Sequence, residues 1–157
     1  VFDTVLGLPV HALVVHGVVV LLPLMALVTL VWAWRRPGRA TAGWLVVAAD
    51  AVVMVMTFVA KQSGEALQRR LGGQAAVEHG HLAGPLPLMA GALLLAAVLV
   101  QVHRIRVSAS ATTGQQVRTA LSVLVTAAAG VVVVWTIRVG HSGAEAVWGQ
   151  IVRNTSQ

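Results

Sequence analysis

Four apolar runs, at about 10–34, 44–60, 82–102 and 117–137, divide this chain into alternating oily and charged stretches. Each run is long enough to cross a hydrocarbon layer of about 30 Å as a helix, with some tilt. No lone water-soluble core of this length needs so many. Composition agrees: of 157 residues, 57% are apolar and 10% charged, and the mean hydropathy is +0.83. Soluble domains hold about 25% charged residues. The expectation is an all-α integral membrane four-helix bundle forming a single transmembrane domain over 1–157, with the bilayer as its principal partner. The N-terminal VFDTVLGLPV carries Asp3 but no lysine or arginine, unlike the basic start of a cleaved signal peptide, so the first run is expected to stay in the mature protein.

The net charge of +6 would suggest nucleic acid in a soluble protein. Here the cations sit in short clusters between apolar runs, with no tyrosine, two phenylalanines and no basic helix face. They read as loop charge at a membrane surface, and nucleic acid is not an expected partner. The loops after spans one and three hold Arg35, Arg36, Arg39, Arg104, Arg106 and Arg118, while the other side holds Lys61, Arg69, Arg70, Arg138 and Arg153. The tight Arg35–Arg39 cluster, flanked by Trp32, Trp34 and Trp44, places the first side in the cytoplasm and both termini outside. There are no cysteines, which removes disulfides, thiolate metal sites and cysteine-held iron–sulfur clusters.

An internal echo runs through the chain. LPLMA occurs at Leu22–Ala26 and again at Leu86–Ala90, and TFVAKQSGEA from Thr57 resembles TIRVGHSGAEA from Thr136. Two duplicated helical hairpins inserted the same way explain both, with a pseudo-twofold along the membrane normal. Pro23 and Pro87 each remove a backbone donor and read as packing kinks.

The polar residues are not scattered. His11, His16, His79, His81 and His141 all map to the outer side, with Glu65, Glu78, Glu145 and the Ser63-Gly64 and Ser142-Gly143 pairs. A single histidine near a helix end is more often a satisfied surface group than a ligand, so the weight rests on five converging. His16 lies inside the hydrocarbon layer, where an ionisable group is costly and a functional candidate by default. His11 and His16, five apart, stand about 140° apart round a helix and cannot share a face. Neutral imidazoles without thiolates suit two chemistries. One is b-type haem with axial histidines inside a bundle, His16 opposing His79 or His81 if spans one and three lie diagonally, with His11 and His141 as further candidates. The other is zinc or copper, held by imidazole plus carboxylate, with His141 and Glu145 spaced i,i+4 on one face. His103, beside Arg104, reads as an interfacial group. Asp50 is the lone acid inside a span, either a proton-relay group or the partner of a polar residue such as Thr29 or Gln101. Lys61 and Glu65 read as a solvated i,i+4 pair.

The opening Leu8, Pro9, His11, Leu13, Val15 and His16 resembles the L-P-x-H-P-L-x-V-H hallmark of an uncharacterised bacterial multi-pass membrane family, "domain of unknown function" twenty-two thirty-one. Ala12 stands where that pattern has its second proline. The resemblance implies a four-span protein of the bacterial inner membrane. Relatives fused to Rieske-type or cytochrome-type domains imply a redox setting, which raises haem above bare metal. The functions this leaves are a small haem b protein passing electrons near the outer face within a redox complex, a histidine-based metal-binding or transport module, and a cofactor-free accessory subunit. Hydrolysis has no support, since no nucleophile and base stand at a useful spacing.

Overall fold

A computed structural model describes residues 4–5, 8–36, 38–71, 74–106 and 112–155. After a two-residue antiparallel pairing of Thr4–Val5 with Leu8–Pro9, everything described is helical except the short connections at 35–36, 38–39 and 84–85. The helices are α1 (Val10–Trp34), α2 (Ala40–Leu71), α3 (Gln74–Ala83), α4 (Leu86–Arg106) and α5 (Thr112–Thr155). Four stretches are long and apolar enough to cross a membrane, His11–Trp34, Ala40–Arg69, Val77–Arg106 and Thr113–Ala146. The chain is an all-α, four-span membrane protein.

Helix α1 packs between α2 and α5, and α4 packs between the same two on the far side, so α1 and α4 face each other diagonally. Short α3 lies against α5 and α2. The two LPLMA copies occupy matching places in the core: Leu22 and Ala26 on α1, Leu86 and Ala90 on α4, all buried. Alanines a turn beyond each leucine let the backbones approach closely, and contact between small residues is how membrane helices hold together without a hydrophobic drive. Leucines, valines and isoleucines cover the outside instead; Leu88 is 78% exposed and Leu45 67%. An outer surface of that kind belongs in lipid.

The helices run further than the apolar runs. At 1.5 Å per residue, the 32 residues of α2 and 44 of α5 reach about 48 and 66 Å, well past a core of about 30 Å. The amphipathic tail after Ala60 continues α2 without a break. The stretch between the third and fourth apolar runs is partly helical: α5 begins at Thr112, while 107–111 lie outside the described residues. His79-Gly80-His81, just before the third apolar run, lies on α3. The chain turns at Gly84-Pro85, so Pro87 stands in the first turn of α4, where its missing N–H interrupts nothing. Among the described residues, only Pro23 is interior to its helix. The Leu82 carbonyl beside that turn accepts the Trp135 indole N–H at 2.8 Å.

Candidate functional site

At the end of the bundle where α1 begins, two histidines are anchored in the same way on two different helices. His11, in the first turn of α1, places Nδ1 3.0 Å from the Ala60 carbonyl of α2 and 3.4 Å from Ser63 Oγ. His79, on α3, places Nδ1 2.9 Å from Ser142 Oγ of α5. Each serine spends its own proton on the carbonyl three residues back, Ser63 on Ala60 at 3.1 Å and Ser142 on Val139 at 2.9 Å.

Those bonds fix the proton on each ring. A carbonyl only accepts, so His11 Nδ1 must be the donor. Ser142 Oγ lies 2.9 Å from both the Val139 carbonyl and His79 Nδ1; with its proton on Val139 it accepts from His79 Nδ1. Both neutral imidazoles therefore carry hydrogen on Nδ1 and a lone pair on Nε2, the arrangement that orients histidines toward a metal.

The glycine after each serine makes room for the ring. A Cβ at Gly64 would stand 2.8 Å from His11 Cε1, and one at Gly143 would stand 3.1 Å from His79 Cε1. Ser-Gly is thus one device used twice, a hydroxyl to hold the imidazole and a bare backbone to admit it. It belongs to a seam of seven-residue steps facing the core. Gly43, Asp50, Thr57 and Gly64 line α2, and Ser122, Ala129, Thr136 and Gly143 line α5. Thr57 and Thr136 are buried and satisfy their hydroxyls on their own helices, to Met54 and Val132, each at 2.7 Å. His11 and His79 are near enough for charge on one to act on the other.

The remaining candidates lie elsewhere. His16 is exposed and turns Nδ1 back to the Ala12 carbonyl of its own helix. His81 is exposed on α3. His141 and Glu145 form an exposed i,i+4 pair at 3.5 Å on α5. Among the described residues, no three of His, Cys, Asp and Glu gather as a metal site. Lys61 and Glu65 pair at 3.7 Å on the surface. A pocket of about 300 Å³ opens one turn beyond Gly64, lined by Glu65, Gln68, Arg69 and Val77.

Asp50 takes Thr29 as its partner, Thr29 Oγ1 donating to Oδ2 at 2.8 Å. Gln101 instead donates to the Ala40 carbonyl at 2.8 Å. At that opposite end, Arg104 does more than charge a loop. It donates to the carbonyls of Trp32, Ala33 and Arg35 at 2.7, 3.0 and 2.8 Å and lies 4.4 Å over the Trp32 ring. A cation on the open carbonyls that end α1 is favourable for both hydrogen bonding and the helix dipole. Its position three residues after buried Gln101 is the only hint in the sequence. His103 donates from Nε2 to the Gly114 carbonyl at 3.0 Å, tying α4 to α5, in keeping with an interfacial role.

A family model described as "Predicted membrane protein (DUF2231)" matches residues 7–156. The chain belongs to this family. The DUF2231 match takes in all five helices and both anchored histidines, as the opening LPxH pattern implies. Comparison with curated proteins and with solved structures gave no match.

Proposed function

We propose that this DUF2231 protein is a small membrane carrier of electrons that binds b-type haem between His11 and His79, at the end of the bundle where α1 begins. The observation that carries the reading is the matched seating of the two rings. Both rings are clamped through Nδ1–H, by Ala60 and by Ser142, so each has its Nε2 lone pair to give. The helices that carry them, α1 and α3, each pack against both α2 and α5, so two imidazoles from different helices could hold one haem iron. The donor set fits haem better than a bare divalent metal. Zinc asks for three or four protein ligands, and haem iron asks this chain for two.

In this reading His16 is not a ligand; its ring is turned outward and bonded to its own helix. Gln68 and Arg69, at the neighbouring pocket, would meet the propionates. Bound iron supplies a one-electron couple. The chain's own residues hold the two imidazoles in register and, through the Nδ1–H bonds, make them stronger donors. A redox partner or larger membrane complex would then exchange electrons at this membrane face.

The test is the absorption spectrum of protein purified in detergent after haem-supplemented expression. A low-spin Soret band is expected, lost in His11→Ala and in His79→Ala and kept in His16→Ala. Protein that stays colourless overturns the reading. Stoichiometric zinc or copper in its place would return the histidines to a metal-binding or transport module. Neither haem nor metal would leave a cofactor-free accessory subunit.

A further inference from the structure

Asp50 lies ten residues into α2, about 15 Å along it and so near the middle of a core of about 30 Å. It is 4% exposed. Thr29 holds Oδ2, and Oδ1 is buried with no hydrogen-bond partner. No ion pair to Asp50 is found among the described residues; Arg104, which reaches back from the end of α4, spends its guanidinium on the Trp32, Ala33 and Arg35 carbonyls. The stretches 17–34 of α1, 86–102 of α4 and 119–137 of α5 contain no Asp, Glu, His, Lys or Arg. α3 lies at the histidine end, where its Glu78, His79 and His81 belong. Along the chain the nearest charges are Arg39, just before α2, and Lys61 on it, each eleven residues off, about 16 Å along the axis.

Burying an unpaired charge in such a place costs far more than burying a neutral acid with one loose bond. A hard metal cation would need six or more oxygens, against the three that Asp50 and Thr29 provide. A proton needs only one. We propose that Asp50 and Thr29 form a proton-binding site in the membrane interior, where Asp50 carries a proton at neutral pH and Thr29 holds the other carboxyl oxygen. Uptake forms one O–H bond on the carboxylate and breaks one in hydronium, leaving water. The site is independent of haem, being about two seam steps, or 21 Å along α2, from Gly64.

Its test is infrared difference spectroscopy on the whole chain in lipid, in H₂O and in D₂O. At pH 7 a protonated-carboxyl C=O band is expected, moved by deuterium and absent in Asp50→Asn. Thr29→Val, which leaves the acid in place, should raise its frequency by removing the bond to Oδ2. A wild-type spectrum without such a band overturns the proposal, and so does a band that survives in Asp50→Asn. Should that variant fail to fold, a band indifferent to Thr29→Val has the same force. The readout is the same for colourless and haem-bearing protein.

Discussion

The hairpin α1–α2 and the hairpin α4–α5 are built on one plan and differ in what they put on it. Along the two second helices, equivalent seam positions are 79 residues apart. Thr57 matches Thr136, Ser63 matches Ser142 and Gly64 matches Gly143. At the histidine end the plan is kept, and it yields two imidazoles seated alike. Away from that end it diverges: Asp50 has Ala129 as its counterpart, and Gly43 has Ser122. Gly43 lies against the Gln101 amide, while Ser122 donates to the Ala33 carbonyl at 2.9 Å. Arg104 caps α1 from α4, and its counterpart by the LPLMA offset is Ala40, which caps nothing. Shared positions make the paired site; unshared ones make the interior acid and the arginine-end clamp.

Moving the acid to the other hairpin should break the comparison most sharply. Ala129 is 2% exposed, and Ala129→Asp would set a carboxyl there in a space sized for a methyl group. An acid at the centre of a membrane helix costs about 2.5–3.5 kcal/mol on insertion scales, and added bulk in a packed core costs about 1–3 more. The expected outcome is a protein that unfolds at much lower temperature in detergent, or fails to accumulate. Asp50→Asn, by contrast, keeps shape and the Thr29 bond and should move the unfolding midpoint little. Equal losses for the two would show that Asp50 is charged and held by something other than Thr29.

The two glycines offer a finer contrast. Gly→Ala within a helix gains about 1 kcal/mol in propensity, and overpacking costs about 1–3 kcal/mol. At Gly64 the new Cβ stands 2.8 Å from a ring pinned by Ala60, so the clash should win and stability should fall by about 1–2 kcal/mol. At Gly143 the gap is 3.1 Å, and the two terms should nearly cancel. Gly130 has nothing within 4 Å of the added Cβ and serves as the control, where alanine should stabilise. Detergent unfolding of the three variants reads the order 64, 143, 130 from worst to best. Any haem signal should follow the same order.

Much of this plan was legible before the structure. Apolar run length sets four spans, and the paired Ser-Gly steps and the LPLMA copies mark the two hairpins. The histidine end also stands out, because polar groups in an oily chain are few enough to count. Which histidine faces inward was not legible. His11 and His16 are flanked by apolar residues on every side of α1, so no polar stripe marks the lipid face. Aligning the hairpins on LPLMA sets His16 opposite Gly80, between His79 and His81, and this makes His16 look like the partner. The structure seats His11 and His79 alike, four residues out of that register, with the turn at Gly84-Pro85 between His79 and its leucine. Helix α3 escaped for a related reason: glycines at 72, 73, 80 and 84 read as loop, yet Gly80 admits the Gln68 side chain against a helix. Arg104 is hidden because a carbonyl clamp and a loop charge look identical in sequence.

The serines give the smallest and most discriminating effect. His79 Nδ1–H depends on Ser142, whereas His11 Nδ1–H has the Ala60 carbonyl at 3.0 Å and Ser63 only at 3.4 Å. A half-buried donor left without its acceptor costs about 1 kcal/mol, and a donor that keeps its main acceptor loses little. Ser142→Ala should therefore lower stability by about 1 kcal/mol and Ser63→Ala by under about 0.5 kcal/mol, read from denaturant midpoints at matched slopes. Ser142→Thr keeps the hydroxyl and should recover part of the loss. If Ser63→Ala proves the costlier change, the serine and not the carbonyl anchors His11. The two rings would then be held identically, and the asymmetry between the hairpins would be confined to Asp50 and the arginine end.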